Sequence, residues 1–147
     1  MPRVDRQRRS DCPISISLEI FGDRWTLLIV RDLMLKGRTT FGEFLDGGEG
    51  IASNVLADRL GRLEAHGVVE RRRHGQDGRR HTYRLTEKGI ELAPVLLEII
   101  LWAARHEATA GPASELAVMT EQRASYLADI RARWESGRDL ELSTTPL

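Results

Sequence analysis

The residues most able to do chemistry are arginines. Arg71-Arg72-Arg73-His74 and Arg79-Arg80-His81 stand at the two ends of one short Gly-, Gln- and Asp-containing segment, His74-Gly75-Gln76-Asp77-Gly78. Packing like charges together does not stabilise a folded chain, so this clustering points outward, to a polyanion whose phosphates would compensate it. The bland alternative is a charged hairpin that is merely solvated. Upstream, Ser53 to His66 carries Leu56, Leu60 and Leu63 at helical spacing, which turns Asn54, Ala57, Asp58, Gly61 and Arg62 the other way. Small residues at 57 and 61 would let a helix backbone approach a groove wall. Asn54 is placed to read a base edge, where Asn suits adenine. Arg59 and Arg62 suit phosphate. An ordinary amphipathic helix with a solvated face is the competing reading, and the arginine-rich segment that follows weighs against it.

Net charge is zero, with 22 basic and 22 acidic residues, but the distribution is uneven. Residues 51–86 hold 8 basic and 4 acidic side chains, and residues 87–147 hold 6 and 10. A local basic face on a neutral chain can still meet phosphate within a Debye length. The predicted DNA contacts are Thr40, Ser53, Asn54, Asp58, Arg59, Arg62, Arg73, His74, Gln76, Arg79 and Arg80.

The elements that must position these residues follow from periodicity and punctuation. Residues 1–11 read as a flexible arm. Ile14, Leu18 and Phe21 predict a short helix ended by Gly22, and Asp23 caps a second helix carrying Trp25, Leu28, Ile29 and Leu33, which stops at Gly37. Thr39 or Thr40 caps a short helix through Phe41, Phe44 and Leu45. The turn 46–50 leads to a helix opened by Ser53 and stopped by Gly67. Val68–Arg73 and Thr82–Leu85 predict a two-stranded hairpin, which is marginal alone and needs helices to pack on. Thr86 caps a helix over 87–105 that Pro94 should bend, and a last helix spans about 114–134 with Leu116, Met119, Arg123, Tyr126, Leu127, Ile130 and Trp134 as its stripe. The fold expected is mainly α with a small β-hairpin wing: a winged helix-turn-helix with added N- and C-terminal dimerisation helices. Its parts are the arm 1–11, the DNA-binding domain with its dimerisation helix 12–106, an additional helix within 107–137 and a loose tail 138–147.

Several segments resemble the HxlR-type regulators, relatives of the MarR group. Cys12-Pro13-Ile14, Gly22 to Ile29 and Arg31-Asp32-Leu33 are similar to their start, Gly50 to Leu60 to their recognition helix, and Glu64 to Arg71 to its exit into the wing. Tyr83 to Gly89 and Leu92 to Leu96 complete the pattern, which covers roughly residues 12–105. The resemblance implies a winged helix, a homodimer and control of transcription, and some members are redox or electrophile sensors with a cysteine in the place of Cys12. Arg8 and Arg9 favour a thiolate there and Asp11 opposes it. The plainer reading, preferred here, is a small apolar residue at the start of a helix.

The expected function is a duplex-DNA-binding transcriptional regulator, a repressor acting as a homodimer on an inverted-repeat operator. The alternatives are a winged-helix protein-interaction module and a thiol-based redox regulator using Cys12. The expected dimer surface is Ile14, Leu92, Val95, Leu96, Ile99, Ile100, Trp102, Tyr126, Leu127 and Ile130, with Trp25 and Trp102 in the core or the interface. A small-molecule or electrophile effector is a further expected partner. Enzyme chemistry finds no support: there is no phosphate-binding glycine loop, no H-E-x-x-H and no nucleophile–base set. The histidines His66, His74, His81 and His106, with a single cysteine, do not make a metal site, and no cofactor is expected. No apolar run reaches the ~20 residues needed to cross a bilayer, no signal peptide is legible and one cysteine fits a reducing compartment, so a cytoplasmic location is expected.

Overall fold

Proline at the first position of a helix costs nothing, because that N–H has no intrahelical partner, and α1 (Pro13–Phe21) begins this way. It ends at Gly22, whose N–H donates to the Leu18 carbonyl at 2.7 Å. The computed structural model describes residues 8–74, 78 and 80–137. The Asp23 carboxylate accepts from the N–H groups of Trp25 (2.8 Å) and Thr26 (3.0 Å) and so starts α2 (Thr26–Leu35). α2 is the central helix, burying Ile29, Val30, Leu33, Met34 and Leu35. Thr40 caps α3 (Phe41–Leu45), accepting from the Glu43 N–H at 3.2 Å and donating to its carboxylate at 2.9 Å. A turn through Gly48 and Gly50, both at positive φ, leads to α4 (Ser53–Ala65). Ser53, expected as the cap, is instead the first helical residue, and Ala52 holds the cap position without a side-chain bond. Leu56, Leu60 and Leu63 are buried as the spacing predicts.

The hairpin follows directly. β1 (Val69–His74) and β2 (Arg80–Leu85) pair antiparallel, from Val69 opposite Leu85 to His74 opposite Arg80. Only Val69, Tyr83 and Leu85 of its strands are buried, so its root alone is anchored in the core. There the Tyr83 N–H donates to the Thr39 carbonyl at 2.8 Å and the Tyr83 ring tilts against Phe44.

Two expected helices are each divided. The segment 87–105 forms α5 (Glu87–Ile90) and α6 (Ala93–His106), because Pro94 has no N–H to continue the ladder and is accommodated in the first turn of a new helix rather than in a bend. Thr86 caps α5 by accepting from the Gly89 N–H at 3.2 Å. A Cβ at Gly89 would lie 2.2 Å from the Val68 carbonyl, so only glycine lets α5 close against the hairpin root. The segment 114–134 divides at Gln122 (φ −119°, ψ 39°) into α7 (Ala113–Glu121) and α8 (Arg123–Glu135). The break lets Met119 cover Leu97 and Leu101 while Ile130 enters the main core with α2, α4 and the hairpin root.

This closure corrects part of the expected dimer surface. Leu96 and Ile130 are core residues of the protomer itself, and Ile100, Tyr126 and Leu127 are half-buried against the same clusters. Residues 1–7 of the expected arm, Gly75, Gln76, Asp77, Arg79 and the tail 138–147 lie outside the described residues. Among the described residues no helix is long and apolar enough to cross a membrane, and no cluster of three or more metal-ligating side chains occurs.

Candidate nucleic-acid interface

With Leu56, Leu60 and Leu63 inward, α4 presents Ser53, Asn54, Ala57, Asp58, Gly61 and Arg62 as exposed residues. The face is built from small side chains. A Cβ added at Gly61 would meet nothing within 4 Å, so nothing inside the chain demands glycine there. Glycine in a helix interior costs about 1 kcal/mol against alanine. Thr40, expected at DNA, is occupied with Glu43 as the α3 cap.

Two arginines of α4 differ in how they are held. Arg62 is exposed and pairs with Asp58 one turn earlier at 3.0 Å. Arg59, expected to meet phosphate, is mostly covered and is held by two acids of its own chain. Its Nε donates to Asp23 Oδ1 at 3.1 Å and its Nη1 to Asp58. Arg59 thus ties α4 to the turn between α1 and α2. Burial pushes the Asp23 carboxyl up, but hydrogen bonds from the Thr26 hydroxyl, the Trp25 N–H, Arg59 and the Thr26 N–H outweigh it and hold it down to about 2.

The hairpin lies beyond α4 and is exposed over most of its length. Arg71 faces Glu64 at 3.8 Å and Arg72 pairs with Glu70 at 3.1 Å. His74 Nε2 lies 2.5 Å from the Thr82 hydroxyl across the ladder. Arg73 and Arg80 are exposed and form no ion pair among the described residues. The structure therefore brings Arg73, His74 and Arg80 together at the outer end of the wing, as their spacing predicts, and sets Asn54 and Arg62 on the outward face of α4. It adds roles that periodicity did not assign. Asp23 was legible as a cap, but its bond to Arg59, 36 residues on, was not. Arg84 donates to the Trp134 carbonyl at 2.8 Å, 50 residues away, and is spent inside the protomer.

Cys12 is exposed, immediately before α1, and its backbone N–H donates to Ser10 Oγ at 3.1 Å. It borders a shallow groove with Arg9 and Arg62. A half-open apolar cavity of about 350 Å³ lies between α2, α6 and the 109–111 segment, lined by Leu27, Leu28, Leu96, Ile99, Ile100 and Leu116 among others. Neither Trp25 nor Trp102 lines it. Trp25 is half-buried under Arg24, and Trp102 is exposed.

A family model described as HxlR-like helix-turn-helix matches residues 20–110. The uncharacterized HTH-type transcriptional regulator sll1512 of Synechocystis is 35% identical over 86 residues, which are 58% of this chain and 63% of that protein. The chain thus spans less than two thirds of that relative. YvaP of Bacillus subtilis, also an uncharacterized HTH-type transcriptional regulator, is 40% identical over 93 residues, 63% of this chain and 85% of YvaP. The solved structure of the redox regulator HypR in its oxidized form superposes with a TM-score of 0.60 at 30% identity, over 67% of this chain and all (100%) of that one. With its capped α3, turn and α4, and the arginine-bearing hairpin beside them, this chain is a winged helix-turn-helix protein belonging to the HxlR-like helix-turn-helix family of transcriptional regulators.

Proposed function

We propose that this protein binds duplex DNA as a homodimer at an inverted repeat and represses transcription there. The observation that carries the reading is the small-residue face of α4 beside a hairpin that ends in Arg73, His74 and Arg80. α4 enters the major groove, Asn54 reads a base edge, Ser53 and Arg62 meet the flanking backbone, and the wing cations lie on phosphates. The wing residues Gln76 and Arg79 belong to the same proposed contact set. Support for a second copy comes from apolar side chains that the protomer leaves uncovered: Ile14 is 71% exposed, Leu18 56%, Ile99 45% and Trp102 57%. Leu92 and Val95 continue the α6 surface as half-buried residues. A two-fold interface is self-complementary and would set two α4 helices ~34–36 Å apart, one helical turn of DNA.

The test is duplex binding across a salt series together with sedimentation. Affinity that falls steeply with salt and a dimer at micromolar concentration are expected. Salt-insensitive binding would remove the DNA reading, and a monomer with full operator affinity would remove the dimer. Ile99→Asp should give monomer with little operator binding, since it buries a charge at the interface. Repression is tested by a reporter driven from a promoter that overlaps the selected operator.

A second reading adds thiol sensing. Cys12 is exposed at the start of α1, next to the uncovered Ile14, and HypR is a redox regulator. Diamide treatment that weakens operator binding of the unmutated protein but not of Cys12→Ser would support it. Equal behaviour of the two proteins would dismiss it.

A further inference from the structure

The segment matched by the family model ends at residue 110, and α8 lies beyond it. Its last two turns are attached to the root of the hairpin by contacts that no amphipathic stripe requires. Trp134 Nε1 donates to the Leu85 carbonyl at 2.9 Å, and Arg84 Nη2 donates to the Trp134 carbonyl at 2.8 Å. The guanidinium groups of Arg84 and Arg131 lie 5.2 and 5.7 Å from the centre of the Trp134 ring. Arg131 also pairs with Glu87, at the start of α5, and with Glu135 at 3.2 Å. Positions 84, 85 and 87, where the chain leaves the wing, are thus each bonded to α8.

We infer that α8 is a brace that sets the angle of the wing, with Trp134 and Arg84 as positioning residues for DNA binding. A two-stranded ribbon with three buried side chains has little of its own to fix its direction. The Tyr83 N–H is tied to Thr39. Two residues further along the same strand, Trp134 of α8 donates to the Leu85 carbonyl, accepts from Arg84 and stacks its indole on that guanidinium. α8 is itself rooted in the main core by Ile130, so the brace has a rigid base. Wing cations that reach phosphate from a fixed direction lose less ordering free energy on binding than cations on a swinging hairpin. The inference rests on the wing being a DNA contact.

Two substitutions leave the net charge unchanged and therefore separate geometry from electrostatics. Trp134→Phe keeps a ring under the two guanidinium groups and removes the N–H. Arg84→Lys keeps a cation and removes the planar fork. Amide hydrogen exchange reads the brace without DNA: the β1–β2 amides should exchange about fivefold faster in either variant, the effect of one lost hydrogen bond, while α2 and α4 amides keep their rates. Duplex affinity should fall by a similar factor. Unchanged wing exchange and unchanged affinity in Arg84→Lys would overturn the inference, and so would faster exchange spread evenly over α2, α4 and the wing. Should Trp134→Phe fail to fold, Arg84→Lys decides alone. If the unmutated protein binds no duplex, the reading of the wing as a DNA contact fails instead, and hydrogen exchange still decides whether α8 holds the wing.

Discussion

The arginines of the helical core and those of the wing differ in what they are given to bind. In the core, Asp32 is buried and accepts from Arg31 and Arg38, each at 2.9 Å, while Arg31 also reaches Glu49 at 2.9 Å. Arg59 has Asp23 and Asp58. In the wing, among the described residues, Arg71 faces the half-buried Glu64, Arg72 pairs with the exposed Glu70, and Arg73 and Arg80 have no acid. A charge taken out of water must be matched where it is, so core arginines are complete within the chain. A charge left in water at the end of a hairpin, with no acid beside it among the described residues, is stabilised mainly by solvent. The same residue type is structural in one region and, under the proposed function, a binding group in the other.

The comparison can be broken at its strongest point. Asp32→Ala leaves Arg38 without its carboxylate and Arg31 with only Glu49, and it should destabilise the fold by about 3 kcal/mol. Urea unfolding measures this, and a loss below about 1 kcal/mol would put the Asp32 cluster with ordinary surface pairs.

Next comes Asp23. Its carboxyl is depressed to about 2 in the folded chain from an ordinary value of 3.8. The native state therefore favours the ionised form. This stability is fully present above about pH 5 and is lost as pH falls through the folded value near 2. Allowing for partial exposure, its size is on the order of 1–2 kcal/mol. Asp23→Asn should abolish it, so the unmutated protein should lose more urea resistance than the variant between pH 5 and 2. Parallel curves would mean that the Arg59–Asp23 tie does not stabilise the fold.

The wing should behave in the opposite way. Arg73→Ala with Arg80→Ala should leave stability within about 0.5 kcal/mol, as exposed substitutions do. Binding to all duplex sequences should weaken, and the slope of log affinity against log salt should flatten by roughly 2. An unaltered slope would take these cations off the phosphates. The smallest effect is expected from Glu70→Gln, which releases Arg72 from the acid it pairs with. Stability should again move by less than about 0.5 kcal/mol, and duplex affinity at low salt should rise with a steeper salt slope. A fall in affinity would show that Glu70 holds Arg72 in its binding position.

Much of this was written locally in the chain. Pro13, Asp23, Thr40 and Thr86 start helices, Gly22, Gly37 and Gly67 end them, and Leu56-Leu60-Leu63 fixes which side of α4 faces the core, because capping and periodicity act over one or two turns. The outward set Asn54, Ala57, Gly61 and Arg62 and the clustered wing arginines were legible for the same reason. The break at Gln122 was not, since the stripe from Leu116 to Trp134 keeps helical spacing straight through it. Nor was the burial of Leu96 and Ile130 within one protomer, because an apolar stripe does not say which surface will cover it. The pairing of Arg59 with Asp23 and of Arg84 with Trp134 joins residues 36 and 50 positions apart. Such partners are chosen only when the chain closes and each charge or donor meets whatever the packing has placed beside it. The sequence by itself thus determined the elements and their faces, and the tertiary structure decided which arginines meet acids of the core and which, among the described residues, stand exposed without one.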